Sequence, residues 1–368
     1  MNLLKKSLIA SAVLASTSAY SAGVYLHEIG NNDLGLAAAG KAARAQDASV
    51  LAANPAGLSN VEGQSFTGGM MTLYGDTEYQ MDNGASAGNI VGFVPLGSAF
   101  YSQQMNDRLT LGIGVYGNYG MGLEYENFPL KTAVTQALTI QPTASYKIND
   151  QWSVGAGLGI QYGMFEVEAG GAQIDDTDIA YNAKLGVLFS PNADTRFGLG
   201  YSSETELKFD VVALGQSVDP AVMPQTLTFS AFHQLNNKLA VMGNLGWEDW
   251  SEYETFTKTP TQDTYHIAVG SRYQVNKKLI WNAGLAFDSS LYENQSSGDF
   301  TLPTGDAWRI GTGMEYDLGE GTSIGLAFEV VLLDSSRVDA TDFGQYGQGQ
   351  FKDPSLYFLT ATYSWSGQ

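Results

Sequence analysis

Much of this chain is written in period two, with glycine on one side. In residues 109–119, LTLGIGVYGNY, Leu109, Leu111, Ile113 and Val115 fall on one face and Thr110, Gly112, Gly114 and Tyr116 on the other. That is the signature of an extended strand, whose successive side chains leave the pleat on opposite faces. The pattern returns in residues 151–163, QWSVGAGLGIQYG, and in DTYHIAVGSRYQV, LIWNAGLAF, AWRIGTGMEYDL and TLTFSAFHQL. The second face carries Gly, Ser, Thr, Gln and charges such as Lys184, Arg272, Arg309 and Glu315, so it is either wet or plugged. A soluble sandwich has the same period, and alternation alone does not choose. Length and aromatic placement do. Runs such as 132–148 and 239–258 exceed the five or six residues usual in soluble strands, and Trp152, Trp247, Trp250, Trp281, Trp308 and Trp365 lie near run ends. Bilayer-crossing strands need roughly 9–11 residues and carry aromatic girdles at both interfaces.

Connections alternate in kind. Tight turns are expected at 106–108, 149–151, 191–194, 236–238, 276–278 and 319–322, and mostly longer connections near 75–88, 120–131, 169–176, 213–225, 259–262, 290–306 and 339–353. Six turns and seven loops join 14 strands, an even number, with the short side periplasmic. The fold class is therefore all-β: a 14-stranded antiparallel transmembrane β-barrel, residues 64–368. No mature stretch holds 18 consecutive apolar residues, which excludes helical spans and not a barrel.

Lys5 and Lys6 ahead of an apolar run at 8–15, and small residues at Ala19 and Ala22, read as a signal peptide over residues 1–22. Without it, 16 basic residues face 38 acidic ones, a formal charge of −22, which excludes nucleic acid as a partner. The chain has no cysteine, so neither disulfides nor thiolate metal sites are available. Residues 23–63 precede the first strand. Their Ala-rich LGLAAAGKAARAQ has the composition of a short helix, which Pro55 should end. Small, apolar and punctuated by Gly, this segment is most simply a hatch that plugs the lumen.

The sequence AAAGKAARAQDASVLAANPAGL resembles the hatch of the FadL-type outer-membrane transporters of long-chain fatty acids and other hydrophobic compounds, with its Asn-Pro-Ala signature at Asn54, Pro55 and Ala56. GVYGNYG (114–120), SYKINDQWSVGAGLGIQYG, WEDWSEY (247–253) and AWRIGTGMEY add to a resemblance that covers nearly the whole mature chain. It implies a plugged 14-stranded barrel in the Gram-negative outer membrane, a fatty acid or hydrocarbon as ligand, and sideways release into the bilayer. Lipid and lipopolysaccharide are then its surroundings, and a monomer its expected state. The alternatives are a general diffusion porin and a structural or adhesive barrel.

Three groups of residues are singled out. Asn54, Pro55, Ala56 and Gly57 can hold a preset bend where plug meets wall, since Pro fixes φ and Gly relaxes it. Pro95 and Gly97 interrupt one strand, and Gly112, Gly114 and Gly117 weaken the next, which marks a lateral opening. Arg309 is the first choice for a ligand carboxylate, followed by Lys131 and Lys258. No cofactor or metal is expected: Asp175, Asp176 and Asp178 lack the Gly and Glu of a calcium loop. His27, His233 and His266 accompany no nucleophile motif, so no catalysis is expected.

Overall fold

The computed structural model describes residues 25–30, 32–213, 216–217 and 221–367. The signal peptide expected at residues 1–22 lies outside them. Fourteen antiparallel strands close into a barrel. The first seven are β1 (Gln64–Asp76), β2 (Gly92–Gln104), β3 (Leu109–Glu124), β4 (Leu130–Lys147), β5 (Trp152–Ala169), β6 (Ala172–Asn192) and β7 (Thr195–Ser202). The others are β8 (Gln225–Asn236), β9 (Leu239–Asp249), β10 (Thr264–Gln274), β11 (Leu279–Asp288), β12 (Ala307–Gly319), β13 (Thr322–Leu333) and β14 (Ser355–Gly367). The ring closes where β1 meets β14, from Gln64↔Gly367 to Asp76↔Ser355.

Alternation sorts the two faces as expected. Leu111, Ile113, Leu158, Leu185, Ile267 and Leu326 stand exposed on the outside, while Thr110, Tyr116, Ser153 and Gln161 are buried inside. Trp152, Trp281 and Trp308 are exposed near strand ends. Trp250 is not part of that belt. Strand β9 stops at Asp249, short of the expected 258, and Trp250 turns inward, its Nε1 donating to Glu248 Oε2 and Thr264 Oγ1, both at 3.1 Å. The third long connection is also shorter than expected. Gly170 and Gly171, with φ of 60° and 83°, make a two-residue turn that only glycine enters without strain. Asp175, Asp176 and Asp178 consequently lie on β6, where Asp176 and Asp178 accept the backbone N–H of Asp210 and Lys208 at 2.7 and 2.8 Å.

Residues 25–63 thread the lumen without an α-helix. Leu34–Leu36, Ala48–Ala52 and Pro55–Asn60 form 3₁₀ turns, and Ala37, Ala38 and Ala45 take positive φ between them. The helix expected from alanine content does not form: the backbone makes short turns of its own, and the wall partners groups those turns leave open. Asn244 Oδ1 accepts the Gly40 N–H at 2.6 Å and Ser230 Oγ that of Ala42 at 3.1 Å. Gln141 and Ser145 donate to the carbonyls of Leu51 and Ala56 at 2.8 and 2.9 Å. Arg196 donates to those of Ala43 and Arg44 at 3.0 and 2.9 Å. Irregular chain at membrane depth is tolerated when protein satisfies it in this way.

The glycine face explains how the segment comes so close. A Cβ on Gly284 would lie 2.0 Å from the Leu36 carbonyl oxygen, and one on Gly311 2.2 Å from that of Leu34. Gly198 and Gly200 would meet the carbonyl oxygens of Ala42 and Ala53 at 1.9 and 2.0 Å. Replacing Gly284 by Val should therefore unseat the plug by about 1–3 kcal/mol or more of overpacking while leaving the strand ladders intact. Planar-bilayer recordings should show raised conductance from a barrel whose gel mobility still shifts on boiling.

Candidate functional site

Asn54 begins the bend that the sequence singles out. Fully buried, it caps the Pro55–Asn60 turn by accepting the Ala56 N–H at 3.0 Å. Its Nδ2 donates to Ala42 O at 2.7 Å and, on β6, to Val187 O at 2.9 Å. Pro55 opens this turn rather than ending a helix, as suits a residue with no N–H to satisfy. Ala56 packs against Gly155, where a Cβ would fall 2.4 Å from the Ala56 nitrogen, and Gly57 leaves room for Val50. Asn54, Pro55, Ala56 and Gly57 thus sit together beside one part of the wall, that of β4, β5 and β6.

Pro95, Gly97 and Gly117 come together elsewhere. The ladder between β2 and β3 runs from Gln104↔Thr110 only to Ser98↔Tyr116, although β2 extends back to Gly92 and β3 on to Glu124. Above Ser98 the two strands part, and Pro95 has no N–H to offer. Strand β3 bulges between Gly117 and Tyr119. The plug, through residues other than Asn54, supplies a substitute edge: Leu26 N–H donates to Asn118 O at 2.9 Å and Tyr25 bridges Tyr119. A small cavity of about 30 Å³ lies at this seam, bounded by Leu26, Glu28 and Leu34 of the plug, Leu96 and Gly97 of β2, Gly117 of β3 and Thr360 of β14. Gly112 and Gly114 have a different role. Lower on β3, within the intact ladder, they admit Leu51 and Leu58 of the plug.

The three cations chosen for a ligand carboxylate are not brought together. Arg309 is buried and already paired: Nη1 lies 2.9 Å from Glu28 and 3.4 Å from Glu329, and Nε binds Asp288. Alternation located its face correctly, but only the tertiary structure brought these carboxylates to it. Lys131 and Lys258 are exposed at the mouth. A fourth cation fits the role better. Lys184, 5% exposed, has no ion pair or hydrogen bond among the described residues. It borders a small cavity of about 30 Å³ together with Lys41, Arg44, Ser202, Thr226 and Thr228. An unpaired buried ammonium is costly, and this cost was the signal that could have ranked Lys184 above Arg309.

Aromatic side chains roof the mouth. Phe300 stands among Phe128, Phe256 and Phe343, with ring centroids at 5.3, 5.8 and 5.2 Å. Tyr125 donates to Phe300 O at 2.6 Å and Tyr292 to Leu302 O at 2.7 Å. Burial, then the Asp299 carboxylate, pushes both phenols well above their ordinary range, so they remain neutral donors.

The sequence matches, over residues 12–364, the family described as outer membrane protein transport protein (OMPP1/FadL/TodX). The chain belongs to this family. It is thus an outer-membrane transport protein that crosses the membrane by strands. Outer membrane protein P1 of Haemophilus influenzae is 26% identical over 420 residues, covering 89% of this chain and 90% of that protein. The long-chain fatty acid transport protein of Escherichia coli O6:H1 is 23% identical, covering 88% and 90%. The crystal structure of a Pseudomonas aeruginosa FadL homologue shares the fold with a TM-score of 0.76 at 16% identity, covering 93% of this chain and 99% of that one.

Asn54 offers a direct test of how this family member holds its plug. Asn54→Asp keeps the acceptor for Ala56 and loses both donated bonds, setting a buried carboxylate against two carbonyls. About 1–3 kcal/mol per unsatisfied group should be lost. The plug, protected in the native protein, should then be cut by added protease under conditions where the barrel stays whole.

Proposed function

We propose that the chain lets hydrophobic molecules cross the outer membrane passively and releases them sideways through the seam between β2 and β3. One observation carries this reading: the wall is unzipped above Ser98↔Tyr116, with a cavity behind it and plug backbone in place of the missing strand partner. Unpaired backbone facing lipid costs several kcal/mol per group, so a persistent gap in the ladder needs a compensating use. The relatives named for long-chain fatty acid transport support a lipophilic ligand for this chain too. Docking begins at the aromatic roof, and the ligand then passes beside the plug. Neither step involves catalysis, and the barrel acts as a monomer among outer-membrane lipid and lipopolysaccharide.

A general diffusion porin needs an open aqueous lumen, whereas here Leu36, Ala43, Leu51 and Leu58 of the plug are buried within it. An adhesive barrel has no use for an unpaired seam backed by an internal cavity. Lys184 favours a ligand with an anionic end over a neutral hydrocarbon.

The seam is tested by tethering it. Tyr25 and Tyr119 are bridged backbone partners, close enough for a disulfide, in a chain without other thiols. Tyr25→Cys/Tyr119→Cys should abolish uptake of a fluorescent long-chain fatty acid analogue when oxidised and recover it on reduction; equal uptake in both states would refute sideways release. Lys184→Met should weaken binding of the same probe about 10- to 100-fold, the worth of one charge-assisted hydrogen bond, and leave binding of a neutral alkylbenzene unchanged. Equal losses for both probes would remove Lys184 from carboxylate recognition.

A further inference from the structure

His27 on the plug meets three wall residues on neighbouring strands. Its Nε2 lies 3.5 Å from Glu248 Oε1 of β9 and 3.7 Å from Asp288 Oδ1 of β11. Its ring stacks at 4.2 Å on that of His266 from β10, whose Nδ1 binds Asp288 Oδ1. One ligand-type atom from each of His27, His266 and Asp288 lies within 4.8 Å of the other two. In a tetrahedral zinc site, bonds of about 2.0–2.2 Å set neighbouring ligand atoms roughly 3.3 Å apart. The two His27 contacts are near that spacing already.

The surroundings orient these groups as outer partners orient metal ligands. Glu248 Oε2 is held by Trp250 Nε1 at 3.1 Å and Thr264 Oγ1 at 3.0 Å, which leaves Oε1 facing His27. Asp288 Oδ2 is held by Arg309, which leaves Oδ1 facing both histidines. Charge gives an independent reason for a cation. Glu28, Glu248, Asp288 and Glu329 set four buried or largely buried carboxyl groups, two of them sharing a proton, against Lys41 and Arg309. Glu28 and Glu329 hydrogen-bond to each other, whereas His266 Nε2 is buried without a partner. A cavity of about 40 Å³ adjoins the cluster, large enough for a cation and bounded also by Thr304 and Gly305 of the connection between β11 and β12.

We propose that His27, Glu248, His266 and Asp288 bind a divalent transition-metal cation of the zinc class, which staples the plug to the wall. Two imidazoles and two carboxylates suit zinc better than calcium or magnesium, which favour all-oxygen sites. Loading requires the His266–Asp288 hydrogen bond to lengthen. Because His27 Nδ1 lies 3.2 Å from Lys41 Nζ, a cation on Nε2 moves the ring proton to Nδ1 and releases one proton from the His27–Lys41 pair. No local motif marks this site, since each ligand comes from a separate segment.

The full-length barrel, stripped with a chelator, is titrated with zinc against a chromophoric competitor and with cobalt(II) in the visible. The expected result is one zinc per chain and the intense absorption of four-coordinate cobalt. His27→Gln and His266→Gln should each weaken zinc binding at least about 100-fold, while His233→Gln, at an exposed histidine of β8, should leave it unchanged. Absence of stoichiometric zinc and of the cobalt band in the wild-type protein overturns the proposal whatever the variants do. Zinc binding untouched by His27→Gln overturns the staple. Uptake through the seam is not measured here, so either failure leaves the sideways route to be judged by its own test.

Discussion

Each backbone amide at membrane depth must find a partner inside the protein, because hydrocarbon offers none. The rest of this structure follows from that demand. Closure of β1 on β14 removes the free edge of the sheet. At the one seam described here, β2 and β3 part above Ser98, and the plug rather than lipid meets the strand edge through Leu26 and Tyr25. The seam and the plug are therefore in direct backbone contact, and the position of one depends on that of the other.

The same demand shapes the plug itself. Its short turns pair only some of its peptide groups internally, and Asn244, Ser230, Gln141, Ser145 and Arg196 reach from the wall to others. Such bonds need close approach, which the lumen-facing glycines permit. Alanines recur in the plug for their size, since Ala37, Ala39, Ala42 and Ala43 are wholly buried against that wall. Helix propensity is a weak preference beside these contacts, and tertiary structure overrides it.

Buried charge makes the plug's position specific. Arg309 holds Glu28 of the plug together with Glu329 and Asp288 of the wall, and a second plug residue, His27, sits at the edge of the same network. Removing one member of such a network strands the others in a poorly solvated place, which is more damaging than losing a surface pair. Lys184, by contrast, makes no ion pair among the described residues, although it shares a cavity with His27 and Lys41.

The barrel was legible because period two, strand length and the alternation of turns with loops are local properties, repeated along the chain. Inward-facing Gly155, Lys184 and Arg309 could be assigned from that alternation, and Pro95 could be marked as a break because proline lacks an N–H wherever it sits. What the sequence could not determine was distance across the lumen. The pairing of Arg309 with Glu28 spans 281 residues, and Asn54 reaches Val187 across 133. Neither separation leaves a trace in local pattern. The tight turn at Gly170, the inward rotation of Trp250 and the non-helical path of the plug were likewise decided by packing. Sequence by itself determined which face each strand residue presents; only the closed barrel determined what waits on the other side, because burial, charge pairing and backbone satisfaction are properties of the enclosed volume rather than of any one strand.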